Sequence, residues 1–234
     1  MRRRNNSRVD REEHEECRME VKIVQKVMKV NDELAQGVRA RLAAVNVACV
    51  NMMSAPGSGK TSLIEAALRA LQGSPRIGVI EGDPDTTLDA ERIAACEAPV
   101  VQINTDGGCH LEANLVGRAL NDFDLNQLDL MIIENVGNLV CPVGFDLGEN
   151  KRVAVVSVTE GHDKPAKYPK LFRSADLVVL NKIDLLPHVD FDVERFRAFV
   201  QGLQPDVPLL HVSCRTGEGV EAWCAWLRKT AAGG

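Results

Sequence analysis

The chain has 234 residues, a formal net charge of -5 and a hydrophobic fraction of 45%. That length suits one α/β domain with an appendage, and that charge excludes a general attraction to nucleic acid. No apolar run approaches the about 20 residues that cross a bilayer, so no membrane segment is expected.

Arg2, Arg3 and Arg4 have no apolar stretch behind them and do not make a secretory signal. The seven cysteines are scattered, without the framework of a small secreted domain. They read as cytosolic thiols or metal ligands, so a cytoplasmic location is expected. Residues 1–9 are polar and expected to be unstructured. From Asp10 to about Asn46 the pattern turns helical, with Ile23, Val27, Val30, Leu34, Val38, Leu42 and Val45 at steps of three and four. This stripe is expected to pack on the chain's own sheet rather than on a partner. His14 and Cys17 lie on the charged start of that helix and read as surface residues.

Val47 to Met53 is an apolar, β-branched run and reads as a buried strand. Leu63, Ile64, Ala67, Leu68 and Leu71 then mark one face of a helix. Between them lies SAPGSGKTS, a phosphate-binding loop. Gly57, Ser58 and Gly59 bring backbone amides close to an anion at the helix start. Lys60 would reach the terminal phosphates and Thr61, followed by Ser62, would hold magnesium. These make Lys60 and Thr61 the candidate catalytic pair. The usual pattern has glycine at position 54; this chain has Ser54, small enough for the same turn.

Arg76 to Glu81 reads as a second strand, with Asp83, Asp85 and Asp89 just past its end. Ligands of doubly wound sheets bind at the carboxyl ends of strands, where acidic side chains reach magnesium directly or through water. Asp83 and Asp89 rank above Asp85; each could instead cap the following helix. Pro99 to Asn104 is a third strand, leading through TDGGCH to the helical LEANLVGRAL. Leu128 to Val136 is a fourth, leading to Gly137. Glu134 and Gly137 stand where phosphate-binding NTPases keep an acid for magnesium's water shell and a glycine that senses the γ-phosphate. Arg152 to Glu160, Asp176 to Leu180 and Pro208 to Ser213 complete seven strands, and Val220 to Thr230 closes the chain as a helix with Trp223, Trp226 and Leu227 on one face. Strands alternating with helices predict an α/β P-loop NTPase fold: a mostly parallel, doubly wound sheet preceded by an N-terminal helix. The boundaries expected are 1–46 for the tail and helix and 47–234 for the P-loop GTPase domain.

Asn181, Lys182 and Asp184 spell N-K-x-D at a strand end. A carboxylate there accepts from both N1–H and the exocyclic amine of guanine. Adenine has no matching pair of donors and would leave a buried acceptor unpaired, at about 1–3 kcal/mol. Ser213, Cys214 and Arg215 follow the last strand and would line the base. GTP is therefore favoured over ATP. Cys109 and His110 are adjacent on the loop after the third strand, and Cys141, followed by Pro142, comes after the fourth. Thiolate and imidazole suit zinc, nickel or copper, and three protein ligands leave a position open. On spacing alone, two core cysteines and a surface histidine are an equal alternative. Cys49, Cys96, Cys214 and Cys224 read as packing residues.

SAPGSGKTSL, EGDPDT, INTDGGCHLEA, IIENVGNLVCP, SVTEGHDKPAKYP and NKIDLL together resemble the hydrogenase nickel-incorporation GTPases, the HypB family, from about Val21 to Trp226. The resemblance implies a slow GTPase that dimerises and helps place nickel in [NiFe]-hydrogenase. It implies a nickel or zinc site at Cys109, His110 and Cys141 near the dimer interface. It also implies a hydrogenase maturation protein and the hydrogenase large subunit as partners. The high-affinity N-terminal cysteine motif and the histidine-rich tract of some members are absent from this sequence. Lys164 could contact nucleotide or a second subunit, or be a solvated lysine. A urease-type accessory GTPase would carry C-P-H in one run; a cobalamin-enzyme GTPase chaperone would lack the Cys109, His110, Cys141 set; a metabolic P-loop kinase would not need N-K-x-D.

Overall fold

A computed structural model describes residues 28–83 and 86–233. The tail, the residues 10–27 expected to be helical (among them His14, Cys17, Ile23 and Val27) and Asp85 lie outside the described residues. Seven strands form one sheet: β1 (Ala48–Ser54), β2 (Ile77–Asp83), β3 (Val100–Asn104), β4 (Leu130–Glu134), β5 (Lys151–Ser157), β6 (Leu177–Asn181) and β7 (Leu209–Val212). Every neighbouring pair is parallel, in the order β3-β2-β4-β1-β5-β6-β7. Parallel pairs require crossovers, and the crossovers cover both faces. The central strands are accordingly apolar on both sides. Val50 and Met52 of β1 enter one core while Cys49 and Met53 enter the opposite layer; Val153 and Val155 of β5 alternate in the same way with Ala154 and Val156.

On the first face lie α2 (Lys60–Leu71), α3 (Leu88–Ala94) and α8 (Val220–Ala232). Trp223 is fully buried there, its indole N–H donating to Leu63 O at 3.1 Å, with Leu227 beside it and Trp226 stacked on its ring. The second face carries α1 (28–43) and α4 (Ala113–Ala119) near β2 and β4, and α6 (Pro169–Ser174) and α7 (Val193–Leu203) near β5 and β6. A single turn, α5 (Lys164–Lys167), precedes α6. The segment GHDKPAKYPK therefore supplies two short helices, and α7, unassigned from sequence, docks through Phe196 and Val200.

Two sequence expectations shift. Strand β2 runs on through Gly82 to Asp83, so Asp83 ends the strand rather than following it. In α1 the inward face is Asn31, Ala35, Val38 and Leu42, whereas Val30 and Leu34 stay 48% and 44% exposed. The packed stripe keeps the expected Val38 and Leu42 and steps over by one position in the preceding turns, where a buried asparagine occupies it. Asn31 donates to Asp146 O at 2.8 Å and accepts from Ala113 N–H at 2.9 Å. Among the described residues no helix is long and apolar enough to cross a membrane.

Candidate functional site

All seven strands point the same way, so their carboxyl ends share one edge, and strand order reverses direction around β1 there. The loop from Ser54 to Lys60 leaves β1 at this point. Gly57 and Gly59 have φ of 72° and 96°, left-handed values that favour glycine. At Gly59 a Cβ would also lie 2.5 Å from Asn181 Nδ2, so the tight approach of loop and β6 excludes any side chain. Ser54 is fully buried and its hydroxyl accepts from Lys60 Nζ at 3.1 Å. The serine that replaces glycine thus parks the lysine at the mouth of the loop. Ser58 Oγ donates to Glu160 Oε1, and Ser62 Oγ accepts from Arg92.

Lys60 and Thr61 open α2 against Glu134 at the end of β4. Thr61 Oγ1 donates to Glu134 Oε1 at 2.9 Å, and Lys60 Nζ lies 3.8 Å from the same oxygen. Glu134 is the register partner of Glu81 on β2, so the two carboxylates stand side by side. With Asp89 they bring one oxygen each within 4.8 Å of one another. Glu81 Oε2 and Glu134 Oε2 are buried without a hydrogen-bond partner. Burial pushes the Glu81 carboxyl up to about 8, with repulsion from Glu134 adding to it, and burial pushes Glu134 up to about 7 despite Lys60. Buried oxygens that lack a donor, in a group of three acids beside a phosphate loop, fit a divalent cation. Asp89 also pairs with Arg92 at 2.8 Å. The Asp83 carboxylate accepts from Thr86 N–H at 2.6 Å and is not in the three-acid group. Glu81 was missed from sequence, although a carboxylate inside the apolar strand IGVIEGD was itself a signal.

The N-K-x-D residues are stitched to the phosphate loop. Asn181 Nδ2 donates to Ser58 O at 2.9 Å, and Lys182 Nζ donates to Gly57 O at 2.7 Å. Lys182 adopts φ 61°, a strained choice for a side-chain-bearing residue. Asp184 accepts from Ser213 Oγ at 2.7 Å, Cys214 Sγ approaches Asn181 Oδ1, and Arg215 is exposed. Gly137 abuts the loop from the other side, where a Cβ would lie 2.9 Å from Pro56 Cα.

Cys109, His110 and Cys141 place one ligand atom each within 4.8 Å of one another. Cys109 Sγ lies 3.4 Å from His110 Nδ1, and the imidazole stacks on Phe145 with centroids 3.9 Å apart. His110 Nε2 is buried without a hydrogen-bond partner and lies 3.9 Å from Glu112 Oε1. Burial lowers the His110 pKa, keeping the ring neutral and its lone pair free, while the adjacent Cys109 thiol pushes Cys141 upward. A neutral imidazole and two neighbouring thiols fit a soft divalent metal. Cys49 and Cys224 are buried packing residues, and Cys96 and Cys214 are half-buried.

The family model described as CobW/HypB/UreG, nucleotide-binding domain, matches residues 48–211. The hydrogenase maturation factor HypB of Azotobacter vinelandii is 50% identical over 209 residues, covering 89% of this chain and 69% of that protein. The chain belongs to the HypB family. Its members are hydrogenase maturation factors with a P-loop nucleotide-binding domain of the GTPase kind. The crystal structure of HypB from Archaeoglobus fulgidus superposes with a TM-score of 0.81 at 41% identity, covering 87% of this chain and 99% of that one. HypB from Helicobacter pylori, crystallised in complex with nickel, gives 0.82 at 35% identity, covering 87% and 95%.

Proposed function

We propose that the chain is a GTP-binding, slowly GTP-hydrolysing nickel metallochaperone that acts as a homodimer. In this reading Gly57, Ser58, Gly59 and Ser62 cradle the phosphates and Lys60 holds the terminal ones. Thr61, Glu134, Asp89 and the newly found Glu81 would hold Mg2+, directly or through water, with Asp83 close by at the end of β2. Bound there, magnesium would neutralise charge on the phosphate oxygens. Asp184 reads guanine, Asn181 and Lys182 hold the base pocket against the phosphate loop, and Ser213, Cys214 and Arg215 line it. Cys109, His110 and Cys141 carry nickel or zinc as cargo, with one position open for the receiving atom. The receivers are a hydrogenase maturation protein and the hydrogenase large subunit.

One observation carries the proposal. Segment 134–141 starts at Glu134, bonded to Thr61, passes Gly137 against Pro56, and ends at Cys141 beside Cys109 and His110. A change at the γ-phosphate moves the segment, and the segment ends in a metal ligand. By linkage, metal changes nucleotide affinity or dimerisation in return. The nickel complex of the Helicobacter pylori relative supports nickel as the cargo. Nickel affinity with GDP and with a non-hydrolysable GTP analogue tests the coupling; equal values remove it. Unchanged nickel binding in Cys109→Ser and Cys141→Ser removes the metal assignment, and equal competition by ATP and GTP removes the guanine assignment.

A further inference from the structure

We infer that Asn135 and Asn138 are positioning residues that carry the state of the nucleotide pocket to the two metal-bearing loops. The inference rests on the coupled cycle proposed above and adds the residues that transmit it. Both asparagines lie on segment 134–141, one directly after Glu134 and one directly after Gly137. Asn135 Oδ1 accepts from Leu111 N–H at 3.2 Å and from Val136 N–H at 3.0 Å. Leu111 follows His110. Asn138 Oδ1 accepts from Val140 N–H at 2.8 Å and from Cys141 N–H at 3.2 Å. Each metal loop therefore hangs from one amide of the same segment.

The first link is stiff. Asn135 is buried, its backbone N–H bonds Met52 O in the central strand, and its Nδ2 donates to Asn51 Oδ1 at 3.3 Å. Asn51 in turn donates to Glu149, which Arg152 holds at 2.6 Å. An amide fixed at both ends cannot rotate to follow one partner alone. Leaving the buried Leu111 N–H without its acceptor costs about 1–3 kcal/mol, so it moves with Asn135 rather than parts from it. Asn138 instead grips two neighbouring amides of its own turn, those of the exposed Val140 and the half-buried Cys141. A shift at Glu134 or Gly137 then reaches Cys109 and His110 through Leu111, and Cys141 through Asn138. The spacing between the three donors changes with the nucleotide.

The test measures nickel affinity of the whole chain by competition with a chromophoric chelator. It is done once with magnesium and GDP and once with magnesium and a non-hydrolysable GTP analogue. Wild type should differ about fivefold or more between the two states. Asn135→Ala and Asn138→Ala should keep nickel stoichiometry and nickel-free nucleotide affinity while that ratio falls to within about twofold of one. Asn138→Asp keeps the acceptor oxygen and should restore the ratio. A wild-type ratio of one sinks the coupled cycle itself. A ratio retained in both alanine variants overturns the role of the asparagines and leaves the coupled cycle standing. Should Asn135→Ala fail to fold by circular dichroism, the Asn138 pair decides alone.

Discussion

Glu81 and Glu134 are adjacent acids that the fold buries together, and their protonation contributes to how the ligand-free protein responds to pH. Each carboxyl sits above its ordinary value of 4.5, at about 8 and about 7. A raised folded pKa means that the folded form binds protons more strongly than the unfolded chain. The associated stability is complete below pH 4.5 and is lost as pH rises through 7 to 8. The Tm of chelator-treated, nucleotide-free Glu81→Gln should therefore rise relative to wild type between pH 5 and pH 8, a difference that cancels His110 and His211, whose lowered pKa values push stability the other way in the same window. A difference that shrinks across this window would contradict the cause assigned. Gly137 offers a second check at the same scale. A methyl there meets the backbone of Pro56, which cannot yield as a flexible side chain would. Gly137→Ala should fold but bind GTP at least about tenfold more weakly, or 1.4 kcal/mol, by equilibrium titration with a fluorescent analogue.

Among the elements, α1 shows how a periodic pattern can be right about the helix and about Val38 and Leu42, yet wrong about the face of the preceding turns. Apolar residues at steps of three and four marked the stripe, yet Val30 and Leu34 face outward while Asn31 and Ala35 face in. Periodicity counts apolar side chains; it cannot see that an asparagine finds both a donor and an acceptor in loops far along the chain. Asn31 ties the helix to Ala113, just after Cys109 and His110, and to Asp146, just after Cys141. Asn31→Ala should destabilise by about 1–3 kcal/mol, lowering Tm by about 2–4 °C per kcal/mol. Leu34→Ser, on the exposed side, should stay within about 0.5 kcal/mol. Equal losses in the two variants would show that the helix docks by another face. The phosphate loop and the N-K-x-D segment were legible in advance because their chemistry is local. Backbone turns and a neighbouring lysine or aspartate act within a few residues, and strand and helix patterns flank them. Helix α7 was missed although Val193, Phe196, Val200 and Leu203 recur at steps of three and four and form its inward face.

At the scale of the molecule, α8 returns the end of the chain onto the helix that begins the phosphate site. Trp223 fills the first core and bonds Leu63 O. Trp223→Ala should cost about 3–5 kcal/mol in urea denaturation, because it opens a cavity and orphans that contact. A loss below about 1 kcal/mol would mean that α8 contributes little to the core. The sequence by itself determined that the chain alternates strand and helix, that a phosphate loop follows β1, and that thiols and an imidazole lie after two strand ends. Each of those follows from residue type and short spacing. Only the tertiary structure decided that Glu81 stands beside Glu134, that Cys141 meets Cys109 and His110, and that two asparagines hang both loops from one segment. The order β3-β2-β4-β1 brings those strand ends together, and strand order is set by how helices cover the two faces of the whole sheet, which no short stretch of residues records.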